Sequence, residues 1–112
     1  VVSPCALGGV INKSNKEALK CKAIVGAANN QLDDVDTGIW LLKNNIIYSP
    51  DYLVNSGGVI AIAAEINKTE DLIEKELEKI SDRLTIVLEE SKKNDESTNS
   101  VAERIAWDRI NK

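Results

Sequence analysis

The sequence predicts an α/β fold in which a parallel sheet of about three strands is followed by C-terminal helices. In the first half of the chain, short apolar runs that begin at Val1, Cys21 and Ile46 alternate with stretches of helical pattern. This alternation indicates β-α-β crossovers, which pair strands in parallel. The second half has apolar residues at helical spacing and no strand pattern. Because the chain has 112 residues, it forms one domain at most.

Three apolar runs supply the predicted strands. The first, residues 1–3, stops at Pro4 and has the pattern of the end of a strand whose beginning is missing. The second covers residues 21–25, and the third covers residues 46–48 before Ser49 and Pro50. A sheet of this width leaves an edge uncovered. We therefore expect the chain to be the second half of a larger unit.

Capping patterns predict where the helices of the first half begin. Residues 14–17 have the spacing of a capping box, which predicts a short helix there. Three carboxylates in residues 33–36 favour the first turn of a helix that ends near Lys43. A further helical pattern runs from Asp51 to about Glu65.

Two helices are predicted in the second half. From Thr69 onward, apolar residues recur at alternating steps of four and three, which indicates an amphipathic helix. These residues are Ile73, Leu77, Ile80, Leu84 and Val87. Residues 92–99 are predicted to be a polar break. Ser100 and Glu103 have capping-box spacing and predict the start of the last helix.

Composition excludes several classes of function. The net charge is −4, and its whole acidic excess lies in residues 69–112, so binding to nucleic acid is not expected. No apolar run is long enough to cross a bilayer. The chain has no histidine, which removes the commonest general base and zinc ligand. Cys5 and Cys21 lack metal-ligand spacing and make no disulfide framework, so we expect a reducing, cytoplasmic setting and no metal.

The stretch after the second predicted strand has the character of a ligand loop. Small residues 26–28 are followed by Asn29, Asn30 and Gln31. Ligands of open α/β sheets bind at the carboxyl ends of the strands. Small residues allow close approach, and each asparagine offers donors and acceptors without charge. The pattern therefore suits a flat polar ring such as an amide-bearing cofactor, although a simple turn is the alternative for two asparagines.

Two other turns share this small-residue character. Residues 4–9 are predicted either to approach a cofactor or to form a tight turn that needs glycine. Since no base is visible near Cys5, we expect its thiol to be buried or to contact backbone rather than to act as a nucleophile. The pair Gly57-Gly58 costs a helix about 1 kcal/mol per glycine, which indicates ligand approach or, alternatively, helix contact through glycine. Asp51 is predicted to be an N-cap rather than a catalytic carboxylate.

Three segments, in this order, resemble the C-terminal portion of the Glu/Leu/Phe/Val dehydrogenase family, and most of all its leucine dehydrogenase branch. They are residues 3–12 (SPCALGGVIN), 19–32 (LKCKAIVGAANNQL) and 47–60 (IYSPDYLVNSGGVI). The resemblance is close to continuous through about Glu65 and looser in the helices beyond.

The resemblance implies a fold and a reaction. Residues 1–66 would be the second half of a Rossmann-type NAD-binding domain, and residues 67–112 a C-terminal helical segment packed on it. The implied reaction is oxidative deamination of a branched-chain, leucine-like L-amino acid to its 2-oxo acid and ammonia, with NAD taking the hydride. The family is oligomeric, so the resemblance also implies a homo-oligomer.

The resemblance further implies which residues bind ligands. The cofactor side would be formed by Cys5, Ala6, Ala27, Ala28, Asn29 and Asn55. The substrate would be bound by Asn30, Val59 and Ile62. Branched apolar residues favour a branched apolar substrate, and Val59 and Ile62 offer no cation for the second carboxylate of glutamate. Valine and phenylalanine specificity remain alternatives.

Departures from the family pattern set a limit on the function of this chain. The catalytic lysines and aspartate of the family lie in an earlier domain, and the chain has no G-x-G-x-x-G turn for a pyrophosphate. Neither Gly8-Gly9 nor Gly57-Gly58 has the spacing to replace it. We therefore expect no catalytic residue in this chain and no activity from the chain alone, without the missing N-terminal catalytic domain. A non-catalytic binding or interaction module is the alternative from a different class.

Overall fold

The computed structural model describes residues 1–112 and has a small parallel sheet at its centre. Strand β1 (Ala23–Ile24) pairs in parallel with β2 (Ile47–Tyr48). Val2 forms a parallel bridge to Ile24 on the other side of β1. The predicted parallel α/β arrangement is confirmed, with β1 in the middle. The sheet has two strands rather than about three, because the first segment, predicted to be only the end of a strand, pairs through a single bridge and Pro4 has no N–H with which to extend it.

Five α-helices account for most of the chain. They are α1 (Val35–Lys43), α2 (Asp51–Val54), α3 (Gly57–Asn67), α4 (Ile73–Asn94) and α5 (Thr98–Ile110). Single 3-10 turns lie at Lys16–Ala18 and Glu70–Leu72. No helix is both long and apolar enough to span a membrane.

The start of α1 follows the local prediction. Asp34 is its N-cap and accepts a hydrogen bond from the Thr37 N–H at 2.9 Å. The adjacent Asp33 carboxylate accepts from the Thr37 hydroxyl at 2.5 Å. The helix ends at Lys43, as predicted. The N-cap Asp34 and its partner Thr37 are three residues apart in the sequence, which is why a local pattern is sufficient here.

The two predicted capping boxes do not form. At the first, Ser14 donates its hydroxyl to Asn12 Oδ1, and the Lys16–Ala18 turn has no side-chain cap. At the second, Ser97 is the N-cap of α5 and Ser100 lies inside the helix. The polar break is also shorter than predicted. Helix α4 continues to Asn94 and is ended by Asp95 in the left-handed conformation, with φ of 52°.

The helix predicted from Asp51 to about Glu65 is split into α2 and α3 at Asn55 and Ser56. The split places Gly57 at the start of α3, where a Cβ would lie 3.3 Å from Leu77 Cδ2 on α4. A Cβ on Gly58 would meet nothing within 4 Å. Glycine therefore eases helix contact at Gly57, which was the alternative interpretation of the pair.

The hydrophobic core has two parts. Under the sheet, five buried side chains pack together: Ile11, Ile24, Leu41, Ile46 and Tyr48. A smaller cluster joins α4 to α5 through Val87, Val101 and Ala102. The C-terminal helices are also tied to the sheet, since Thr98 Oγ1 donates to the Tyr48 carbonyl at 2.6 Å. The first turn of α5 is therefore positioned by β2.

Candidate functional site

The segments that follow Val2, β1 and β2 meet at the carboxyl ends of the parallel strands. We name them the first loop (residues 4–9), the second loop (residues 26–31) and the third loop (residues 49–55), which includes the single-turn helix α2. The first and second loops share two backbone hydrogen bonds, from Ala28 N to Pro4 O at 3.0 Å and from Gly9 N to Asn30 O at 2.6 Å. A Cβ on Gly26 would lie 2.1 Å from Pro4 O, so only glycine fits this contact.

Two carboxamides join the second loop to the third. The Nδ2 group of Asn55 donates to Asn29 Oδ1 at 2.7 Å and to the Ala27 carbonyl at 3.3 Å. These bonds fix the polarity of both amides. Asn29 is left with a free Nδ2 donor and Asn55 with a free Oδ1 acceptor. A donor beside an acceptor is complementary to another carboxamide.

A buried carboxylate forms a second link between the same loops. Asp51 is 6% exposed, and its Oδ2 accepts from the Gln31 N–H at 2.7 Å and from the Tyr48 hydroxyl at 3.1 Å. The N-cap of α2 is Pro50, and Asp51 is the first residue of the helix. The expected N-cap role of Asp51 is therefore wrong, because its side chain points to a loop 20 residues away in sequence. Its place directly after a strand end is the signal that could have identified it.

The Gln31 side chain forms hydrogen bonds to the backbone of the second loop. It is fully buried, and its Nε2 donates to the carbonyls of Gly26 at 2.8 Å and Ala28 at 2.9 Å. Its Oε1 is buried without a partner. These two side-chain hydrogen bonds satisfy backbone carbonyls that would otherwise pair with a neighbouring strand. As a result, the loop turns outward at Asn29 and Asn30.

The ionisable groups at the loops are perturbed by their neighbours. The pKa of the Cys5 thiol is lowered, because the thiolate accepts hydrogen bonds from the Ala27 backbone N–H and the Ser3 hydroxyl. Cys5 is exposed, so it is a backbone-contacting thiol rather than a buried one. Burial, followed by the charge of Asp51, raises the pKa of Tyr48 far above its usual range. The Tyr48 hydroxyl therefore stays protonated and donates to Asp51.

The residues predicted to bind ligands lie at two places. Six are in the first and second loops: Cys5, Ala6, Ala27, Asn29 and Asn30 have exposed side chains, and that of Ala28 is buried. Asn55 ends the third loop, and Val59 and Ile62 follow on α3, where they are 71% and 60% exposed. Asn30 has a left-handed backbone, with φ of 53°, which asparagine tolerates well.

The chemistry available at this surface is polar but uncharged. Its candidate residues are amides, a thiol and small or branched apolar groups. No cluster of three or more histidine, cysteine, aspartate or glutamate residues could hold a metal ion. A cavity of about 660 Å³ lies at the opposite, amino-terminal ends of the strands and includes none of the candidate residues. The surface can therefore orient a neutral polar group, and the Cys5 thiol is the only ionisable group among its candidate residues.

Comparison with known proteins identifies the family. Residues 1–112 match the family described as Glutamate/Leucine/Phenylalanine/Valine dehydrogenase. The chain belongs to this family. The resemblance seen in the sequence is thus confirmed for all of the chain, including the C-terminal helices where it is looser.

Relatives that are named for different amino acids are equally similar to this chain. Leucine dehydrogenase of Thermoactinomyces intermedius is 40% identical over 111 residues, which are 98% of this chain and 30% of that protein. Phenylalanine dehydrogenase of the same organism is 40% identical over 113 residues, with 100% and 31% covered. The crystal structure of L-tryptophan dehydrogenase from Nostoc punctiforme superposes with a TM-score of 0.90 at 40% identity, covering 97% of this chain and 34% of that one. The chain therefore spans about a third of the length of the relatives it matches.

Proposed function

We propose that this chain is the C-terminal part of the cofactor-binding unit of an NAD-dependent amino-acid dehydrogenase. The reaction is oxidative deamination of an L-amino acid to its 2-oxo acid and ammonia. One observation carries the proposal: three strand-end loops form a single hydrogen-bonded cluster that displays Asn29 and Asn55 side by side. Family membership supports the same reaction class.

The loops fit the nicotinamide end of NAD. The free Nδ2 of Asn29 and the free Oδ1 of Asn55 complement the carbonyl and amino groups of its carboxamide. The exposed alanines Ala6 and Ala27 leave room for a flat ring to lie close to the backbone. When bound, NAD supplies the hydride acceptor. The residues of this chain bind and orient that group without placing a charge beside it.

The proposed division of the chain follows its contacts. Residues 1–66 form the second half of a Rossmann-type domain, which the parallel order of Val2, β1 and β2 supports. Residues 67–112 form a helical segment that packs on it, supported by the bond from Thr98 to Tyr48. The proposed partners are the N-terminal catalytic domain of the same polypeptide and further copies in a homo-oligomer, in the cytoplasm.

Helix α3 supports an aliphatic substrate. Val59, Ile62 and Ile66 are each at least 60% exposed and follow one another at steps of three and four residues, so they share one face. An exposed apolar face of this kind is typical of a binding surface. We propose that Val59 and Ile62 contact a leucine-like side chain and that Asn30 binds the same substrate. Phenylalanine and valine are the competing substrates. The panel includes them because the chain is equally identical to a leucine dehydrogenase and to a phenylalanine dehydrogenase.

The test is a steady-state assay of the full-length protein with NAD and a panel of L-amino acids. We expect NADH formation with the highest kcat/KM for branched-chain substrates and the lowest for glutamate. A higher value for phenylalanine or tryptophan would reassign the substrate but keep the reaction. NAD binding without turnover of any amino acid would instead support the non-catalytic module.

The carboxamide pair, Asn29 and Asn55, is tested by a variant in the same assay. Asn55→Asp removes the donor to Asn29 and Ala27 and sets two acceptors against each other, so we expect KM for NAD to rise about tenfold or more. Asn67→Asp is the matched control, since Asn67 Nδ2 donates to the Ala63 carbonyl at 2.8 Å on the exposed part of α3. An unchanged KM for NAD in Asn55→Asp would contradict the proposed cofactor contact.

A further inference from the structure

Asp51 is a buried carboxylate with no cationic partner. No lysine or arginine forms an ion pair with it, and its two hydrogen bonds both reach the same oxygen, Oδ2. Burying a carboxylate is costly unless hydrogen bonds compensate. A neutral side chain would fill this position at lower cost. The role of the carboxylate therefore lies in the groups to which it is hydrogen-bonded.

The Asp51 side chain accepts a hydrogen bond from the last residue of the second loop. Its partner, the Gln31 N–H, is the amide directly after Asn30, whose left-handed backbone turns the loop outward. The carbonyl of Asn30 is meanwhile held by the Gly9 N–H. The peptide between Asn30 and Gln31 is thus fixed at its oxygen by the first loop and at its N–H by Asp51.

The Asp51 backbone holds the other member of the carboxamide pair. Its carbonyl accepts from the Asn55 N–H at 2.9 Å, which ends α2 and sets the direction of the Asn55 side chain. One residue therefore anchors both amides, Asn55 through its carbonyl and the loop bearing Asn29 through its carboxylate. The distance between the two amides depends on this shared anchor.

We propose that Asp51 is a positioning residue of the cofactor site. Its carboxylate holds the second loop in register with the third, so that Asn29 and Asn55 present their free donor and acceptor at a fixed spacing. This inference rests on the proposed function, in which those amides bind the nicotinamide carboxamide. Misplacing such groups by about 1 Å is enough to weaken binding and catalysis strongly.

Variants of Asp51 in the full-length protein test the proposal. Asp51→Ala leaves the Gln31 N–H without its acceptor, so we expect KM for NAD to rise about tenfold while kcat changes less. Asp51→Asn keeps an acceptor oxygen and should restore KM to within about threefold of the wild-type value. Asp51→Glu keeps the charge but moves the oxygen by a methylene, so its KM for NAD should be higher than that of Asp51→Asn.

Thr98→Ala is the matched control for stability. It removes a buried hydrogen bond to the Tyr48 carbonyl, on the strand that leads to Asp51, without touching the second loop. We expect its melting temperature to fall as in Asp51→Ala while KM for NAD stays unchanged. If Asp51→Ala and Thr98→Ala behave alike in both measurements, Asp51 is only structural and the proposal is overturned.

Three further outcomes complete the test and separate this proposal from the proposed function. If Asp51→Ala does not fold, the other two variants decide. A KM for NAD equal to the wild-type value in both Asp51→Glu and Asp51→Asn would overturn the positioning role. If the wild-type protein binds no NAD, as measured by NADH fluorescence titration, the proposed function itself fails. NAD binding that is weakened by Asn55→Asp but not by Asp51→Ala refutes the role of Asp51 alone.

Discussion

Single side chains at the site derive their chemistry from neighbouring loops. Cys5 has no charged neighbour, and its thiolate is stabilised by the Ala27 backbone N–H of the second loop and by the Ser3 hydroxyl 3.4 Å away. The Asn29 amide is likewise oriented with its Nδ2 donor free, because Asn55 Nδ2 donates to its oxygen. In both cases the residue type was evident in the sequence, but the state of the group depends on a contact across the site.

The pH dependence of Cys5 alkylation tests this dependence on neighbours. The lowered pKa means that the thiolate, which is the reactive form, persists to lower pH than in an ordinary cysteine. Ser3→Ala removes one of the stabilising bonds and should raise the pKa, so the alkylation profile should move to higher pH. The rate of iodoacetamide labelling at Cys5, followed by mass spectrometry across a pH series, measures this shift.

Ser14→Ala is the control for this labelling, because the Ser14 hydroxyl contacts Asn12 and is not bonded to Cys5. Its alkylation profile at Cys5 should coincide with that of the wild-type protein. A Ser3→Ala profile that stays in place or moves to lower pH would show that the hydroxyl does not stabilise the thiolate.

At the scale of elements, local signals predicted what local contacts determine. The start of α1 was predicted correctly because its cap, Asp34, bonds to Thr37 three residues away. The start of α5 was predicted wrongly because it is set by Thr98 and Tyr48, which are 50 residues apart. The split between α2 and α3 also escaped the pattern, since Asn55 leaves the helix to bond Asn29, 26 residues earlier.

Gly26 is the residue on which the joining of the first and second loops depends. In Gly26→Ala, the new Cβ would lie 2.1 Å from Pro4 O and 2.6 Å from Pro4 N, both backbone atoms that cannot rotate away. The loops must separate, and the bond from Ala28 N to Pro4 O is strained or lost. We expect a loss of about 1–3 kcal/mol in the free energy of unfolding, measured by urea denaturation.

Gly58→Ala serves as the comparison in the same denaturation series. Its Cβ would meet nothing within 4 Å, and alanine favours the helix by up to about 1 kcal/mol. We therefore expect stability equal to or slightly above that of the wild-type protein. Equal effects of the two substitutions would contradict the close approach at Gly26.

At the scale of the whole molecule, the site is open, and the Cys5 thiol is the only ionisable group among its candidate ligand-binding residues. The loops and α3 provide amides, a thiol and apolar side chains, and several of these are largely exposed. The relatives are about three times longer than the part that this chain matches, at 30% and 31% coverage. Under the proposed function, these residues orient the cofactor, and the proton transfer of deamination is assigned to the proposed N-terminal catalytic domain.

The 112-residue chain on its own should therefore show no turnover. With NAD and any L-amino acid of the panel, we expect no NADH formation above that of the buffer, whereas the full-length protein in the same assay is active. The reason, under the proposed function, is that proton transfer and part of the substrate orientation are assigned to the N-terminal catalytic domain. Measurable deamination by the isolated chain would contradict the proposed division of labour.

Residue pattern and contacts between near neighbours were sufficient to predict the family, the parallel α/β class and the helices α1 and α4. That the second loop binds a ligand was also predicted from the sequence and stays a prediction. Only the tertiary structure decided which groups act together: the amide pair of Asn29 and Asn55, and the bond from Asp51 to the Gln31 N–H. Their partners are 20 to 26 residues apart, and a hydrogen bond over that separation depends on how the strands bring the loops together rather than on local propensity.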